Sequence, residues 1–87
     1  MYIVRLRKPV LKQLKKMPLL EQKKFRNLLL DLKFMGPIQK DWSNFSSLGE
    51  NAYHCHLSHR WVDCWRNEKG SIIVEVYYAG SRENAPY

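Results

Sequence analysis

Five residues in this chain suit chemistry on a phosphodiester: His54, His56, Arg60, Arg82 and Tyr87. Histidine both gives and takes protons near neutrality, because its ordinary pKa of about 6.5 leaves both forms accessible. Side chains two apart on a strand project the same way, so His54 and His56 would stand roughly 6.6 Å apart, a span that brackets one phosphate. Guanidinium groups such as those of Arg60 and Arg82 offer paired N–H donors to non-bridging oxygens, where growing charge needs stabilising. Trp61 or Trp65 could stack a base splayed from a single strand. RNA supplies its own nucleophile, the 2′-hydroxyl, so cleavage needs only a base, positive charge and an acid. No cofactor is implied.

Each of these residues also has a plainer use. Arg82 could cap its strand or pair with Glu83, Arg60 could occupy a turn, and Trp61 and Trp65 could cover the sheet as packing. Asp63 and Glu75 could orient histidines or only keep a face soluble. The cluster His54, Cys55, His56, His59 and Cys64 invites a zinc reading, but successive side chains on a strand point to opposite faces and would split the ligands. Metal binding is not expected. Without a secretion signal, Cys55 and Cys64 read as reduced core thiols rather than a disulfide.

The elements that must position these residues are modest in number. Eighty-seven residues suit one domain, 1–87, with one small core. No apolar run approaches a membrane span, and the N-terminus MYIVRLRKPV lacks a secretory h-region, so a cytoplasmic address and no membrane partner are expected. Net charge is +7 and unevenly spread: residues 1–40 hold eleven Lys or Arg against Glu21 and Asp31, while residues 41–87 carry a balance of −2. Lys12, Lys15, Lys16, Lys23 and Lys24 form a basic surface that should attract a polyanion, or else merely keep a small protein soluble.

Hydrophobic spacing predicts a short strand over 2–7, with Tyr2, Val4 and Leu6 on one side. Lys8-Pro9 opens a helix, Pro18 interrupts, and a second helix from about 19 to 34 carries Phe25, Leu28, Leu29 and Leu32 on one face before Gly36-Pro37 ends it. Residues 38–50 read as an irregular connection anchored by Trp42, Phe45 and Leu48. Strands are predicted at roughly 51–57, 61–66 and 72–78, joined by turns short enough for hairpins. The class is α+β, an antiparallel helical hairpin on one face of a mostly antiparallel four-stranded sheet. By alternation, Tyr53, Cys55, Leu57, Val62, Cys64, Val74, Val76 and Tyr78 should meet the helices. The open face should then carry His54, His56, Trp61, Asp63, Trp65, Glu75 and Tyr77.

Strand, basic helical hairpin, three-strand sheet and the ending Gly80-Ser81-Arg82-Glu83 together resemble the RelE/ParE superfamily of toxins from bacterial type II toxin–antitoxin systems, over essentially the whole chain. The resemblance implies either a ribosome-dependent mRNA endonuclease, like RelE, or a DNA gyrase inhibitor, like ParE; a degenerate, non-toxic binding partner is the third possibility. On the RelE-like branch a basic pair on the second sheet strand matches His54 and His56. The arginine opening the next strand matches Arg60, the arginine after the last strand's glycine matches Arg82, and a following tyrosine matches Tyr87. Histidines stand where that branch has lysines. The implied partners are a cognate antitoxin, the ribosome and mRNA, with operator DNA reached only through the antitoxin.

Overall fold

The computed structural model describes all residues, Met1–Tyr87. Strand β1 (Ile3–Leu6) leads into helices α1 (Lys8–Lys16) and α2 (Leu19–Met35), and strands β2 (Ser46–Gly49), β3 (Ala52–His56), β4 (Trp61–Arg66) and β5 (Ile73–Ser81) follow. A 3₁₀ turn, Arg82–Asn84, ends the ordered elements. The sheet runs β1-β5-β4-β3-β2, with β1 parallel to β5 and the other pairs antiparallel.

The α+β architecture is the expected one, with a fifth strand added. Residues 46–49, read as part of a loop, pair with β3 as an edge strand, Ser46 opposite His54 and Ser47 opposite Tyr53. Four residues ending in glycine are too few for alternation to announce a strand. Pro9 sits in the first turn of α1, and α2 stops at Gly36, whose φ of 90° places it where a Cβ would be strained.

One face of the sheet meets the helices. Val10, Met17, Phe25, Leu28 and Leu32 from the helical layer pack with Cys55, Trp65, Val74, Val76 and Ala79 from the strands. Val4 and Leu6 of β1, and Tyr2 just before it, join with the expected alternation.

Strand β4 is turned the other way from expectation. Trp65 is fully buried among the helical-face residues and Trp61 packs against them, whereas Val62 and Cys64 lie in a separate cluster with Tyr78 on the opposite face. An indole buries roughly 150–250 Å², far more than Val or Cys, so packing two tryptophans outweighs packing the smaller pair. The Trp65 indole N–H donates to the Pro37 carbonyl at 2.9 Å, which removes the cost of burying it. Alternation then drags Asp63 inward between its two tryptophan neighbours, fully buried and with neither carboxylate oxygen hydrogen-bonded.

A bulge makes the opposite faces of β5 consistent with this. Cys64 pairs with Tyr78 but Trp65 pairs with Val76, so Tyr77 is the extra residue. Before it, Val74 and Val76 face the helices; after it, Tyr78 faces away and Ala79 faces the helices. Tyr78 therefore shares the face of His54 and His56 instead of lying under the helical hairpin.

Candidate functional site

The face away from the helices holds the imidazoles. His54 pairs across to Cys64 and Tyr78, and His56 to Val62 and Gly80, so the rings rise from the strand side that the helices leave open. Their centroids are 5.5 Å apart, and the ring of Tyr87 lies 4.5 Å from that of His54. Both histidines are nearly covered, each with 8% of its surface exposed. Each Nδ1 is engaged: Ser46 Oγ lies 3.0 Å from that of His54, and Asn44 Nδ2 lies 3.2 Å from that of His56. Neither Nε2 has a partner within the chain, and neither is sealed from solvent, since the buried side-chain atoms without partners belong to Asp63 alone.

Electrostatics keep both rings inclined to neutrality. Burial lowers the pKa of His54, partly offset by a hydrogen bond to the Ser46 backbone. Burial also lowers that of His56, reinforced by the charges of His54, Arg82 and His59. The Tyr87 phenol is pushed up, first by burial, while the guanidinium of Arg82 pulls the other way. Arg82 thus acts on both His56 and Tyr87, and the four residues form one cluster.

Arg60 stands one step further out. Its carbonyl accepts the Arg82 backbone N–H at 2.7 Å, and both exposed arginines line a concavity of about 650 Å³ with His59, Trp61, Ser81 and Glu83. The lining of that concavity includes His59 but neither His54 nor His56, and of the two arginines it is Arg82 whose charge bears on His56. Paired guanidinium donors there suit a phosphate oxyanion.

Glycine at position 80 is a requirement of close approach. A Cβ there would lie 2.8 Å from the Tyr78 hydroxyl, which donates to the Ser81 carbonyl at 2.6 Å. That bond ties down the residue immediately before Arg82. Ser81 Oγ in turn accepts from the Asn84 N–H and caps the 3₁₀ turn.

Several expected site residues lie elsewhere. Trp65 is sealed in the core and cannot stack a base; its size, which suggested stacking, is what buries it. Trp61 is half-buried at the rim of the arginine concavity and stays available. Lys12, Lys15, Lys16 and Lys23 are exposed, and Lys16 reaches a smaller concavity beside Trp61 and Ser81. Lys24 does not belong with them: its ammonium donates to the Leu57 carbonyl at 3.0 Å and closes the end of β3 against α2.

Asn44 and Ser46 are site residues that the linear pattern hides. Their one signal is a spacing of two, matching His54 and His56 on a neighbouring antiparallel segment, and it has meaning only once β2 is known to pair with β3. The two cysteines are free and buried, and the register sends Cys55 and Cys64 to opposite faces, so they cannot bridge. Burial pushes the Cys64 thiol up to about 12, helped by Asp63, which makes it a poor nucleophile. A concavity of about 920 Å³ lies between β1 and α2 among Tyr2, Ile3, Leu6, Leu29 and Leu30 and holds no acid–base pair.

No protein-family model matches the chain, and no curated protein sequence matches it significantly. Solved structures do. RelE in the archaeal RelE–RelB complex from Pyrococcus horikoshii OT3 aligns with a TM-score of 0.75 at 15% identity, over 97% of this chain and 98% of that one. The chain has a RelE-like fold. The isolated E. coli RelE toxin aligns with a TM-score of 0.72 at 15% identity, covering 99% of this chain and 89% of its own. The YoeB–YefM complex from Staphylococcus aureus gives 0.71 at 10% identity, over 92% and 95%. At such identities the RelE-like fold is what is shared, and the chemistry must be argued from the residues above.

Proposed function

We propose that this chain is the toxin of a type II toxin–antitoxin pair and a metal-independent endoribonuclease that cuts mRNA on the ribosome. One observation carries the chemistry: two imidazoles 5.5 Å apart, each with an unpartnered Nε2, beside an arginine whose charge both His56 and Tyr87 feel. The 2′-oxygen would bond to phosphorus as the P–O5′ bond breaks. An imidazole would take the 2′-hydroxyl proton, and the 5′-oxygen would leave with a proton from a donor, giving a 2′,3′-cyclic phosphate and a 5′-hydroxyl. Arg82 and Arg60 would hold the non-bridging oxygens as charge grows there. Trp61, at the rim, would stack a base.

The basic helices favour docking on ribosomal RNA, with Lys12, Lys15, Lys16 and Lys23 exposed while the less charged sheet face meets the message. An antitoxin partner fits this reading, since RelE–RelB and YoeB–YefM are themselves complexes. Operator DNA would be reached through that antitoxin, and the site of action would be the cytoplasm. Primer extension on cellular messages after induction tests the function. Cuts within translated codons are expected; intact messages with impaired supercoiling would identify a gyrase inhibitor instead, and undisturbed growth a non-toxic binding partner.

A further inference from the structure

The two imidazoles differ in what holds them. Asn44 turns its amide nitrogen towards His56 Nδ1, whereas Ser46 sets a hydroxyl against His54 Nδ1. An amide nitrogen only donates, so His56 Nδ1 accepts and the neutral ring carries its proton on Nε2. A hydroxyl donates or accepts by rotating, so His54 Nδ1 is satisfied with or without a proton. His54 can therefore become an imidazolium without moving a heavy atom. His56 can do so only if the Asn44 amide turns over.

The segment bearing these two residues is held firmly. The Trp42 indole donates to the Asp31 carboxylate at 2.8 Å, and the His56 N–H donates to the Ser43 carbonyl at 2.8 Å. Phe45 stacks on Tyr53 and Trp65, with centroids 5.9 and 6.1 Å away. Asn44 between them takes a left-handed φ of 55°, a conformation asparagine tolerates better than most residues. Ser46 is the register partner of His54. Asn44 and Ser46 are thus held against the imidazoles by the packing of the segment that carries them.

We propose that Asn44 and Ser46 are positioning residues that divide the work of the two histidines: Ser46 lets His54 gain and lose a proton, and Asn44 holds His56 as a neutral ring donating through Nε2. This rests on the ribonuclease reading above. In that reaction His54 Nε2 takes the proton leaving the 2′-oxygen, while Ser46 Oγ accepts from Nδ1–H. His56 Nε2–H hydrogen-bonds the departing 5′-oxygen, which takes its proton from water, and His54 later returns its own to solvent. The surroundings support this asymmetry. His54 on β3, His59 in the turn and Arg82 on the 3₁₀ turn all disfavour a positive His56, whereas His54 is flanked by uncharged Ser46 and by the Tyr87 ring.

Long-range ¹H–¹⁵N correlation on the intact labelled protein reads each ring directly. At pH 7.5 the wild type should show His56 unprotonated at Nδ1 and protonated at Nε2; a proton on Nδ1 would overturn the proposal. Asn44→Gly keeps the left-handed backbone while deleting the amide, and should release the His56 tautomer and raise its titration midpoint. Asn44→Asp, which can accept from Nδ1–H, should raise that midpoint by about one unit or more and lower kcat at least tenfold with KM little changed. Ser46→Ala removes the hydroxyl from His54 Nδ1 while keeping the backbone of residue 46, and should lower the His54 midpoint by the hydroxyl's share alone and leave the His56 tautomer unchanged. An unchanged His56 ring in Asn44→Gly, or normal kcat in Asn44→Asp despite an altered ring, would refute the division of labour. Failure of the wild type to cut RNA would instead remove the ribonuclease reading and leave the ring measurements standing.

Discussion

The ring of Tyr87 leans on the imidazole of His54, centroids 4.5 Å apart and planes inclined by 52°. The phenol ring covers one side of a catalytic candidate while keeping half of its own surface in water, at 52% exposure. Covering His54 removes water from a group that would be charged below its pKa, which is the leading cause of the lowered value.

That packing has a consequence for pH. With folded histidines titrating below the ordinary value of 6.5, the unfolded chain binds more protons as pH falls through and below 6.5. Acid therefore favours unfolding, and the stability the neutral rings contribute is present above pH 6.5 and lost beneath it. Tyr87→Ala should raise the His54 midpoint by NMR and flatten this loss; Tyr87→Phe, which keeps the ring, should leave both as in wild type. In the Asp63→Val background, which removes the opposing titration of that buried carboxyl, a urea midpoint independent of pH between 7.5 and 5 would contradict the sign.

His54→Ala and Arg82→Ala should each lower single-turnover mRNA cleavage on ribosomes by about 10²-fold or more, with the fold intact by circular dichroism. His56→Ala should do likewise. Wild-type rates in any two of the three would remove the proposed centre.

Asp63 is a burden that packing imposes. Burial holds its carboxyl well above the usual value of 3.8, so it stays protonated in the fold while the unfolded chain ionises. Native stability therefore falls as pH rises from 3.8 towards the folded pKa, by up to about 1.4 kcal/mol per pH unit. Asp63→Val should stabilise the protein at pH 7.5 by on the order of 1–3 kcal/mol, the usual cost of an unsatisfied buried polar group. The gain should shrink at pH 5, and urea unfolding at the two pH values measures it.

Gly80→Ala should displace the Tyr78 ring and break its hydrogen bond to Ser81. The expected loss of stability is about 1–2 kcal/mol, from overpacking and the broken hydrogen bond. Cleavage should fall further than that loss explains, because Arg82 loses its anchor. Thermal melts and cleavage assays on the same preparation separate the two effects.

Charge reversal at Lys12, Lys15, Lys16 and Lys23 should weaken ribosome binding and flatten its dependence on salt, by roughly one unit of slope for each phosphate no longer neutralised. The same change at Lys24 should instead lower stability, since its ammonium serves the Leu57 carbonyl. Undiminished binding by the quadruple variant at physiological salt would reject helix docking.

Much of this molecule is legible along the chain, and for local reasons. Helical spacing, Pro9, Pro18 and Gly36 define the hairpin; alternation defines β1; and parity puts His54 and His56 on one side of β3 whatever else happens, because side chains two apart on a strand cannot diverge. Which side of β4 faces the helices is a different kind of question. Two tryptophans competed with Val62 and Cys64 for the core and won on area, taking Asp63 with them and withdrawing Trp65 from any surface role. The bulge at Tyr77, the pairing of Ser46 with His54 and the approach of Asn44 to His56 likewise depend on register between segments distant in the chain. Such registers are set by three-dimensional packing, where the free energy belongs to surfaces brought together and not to any one stretch of residues.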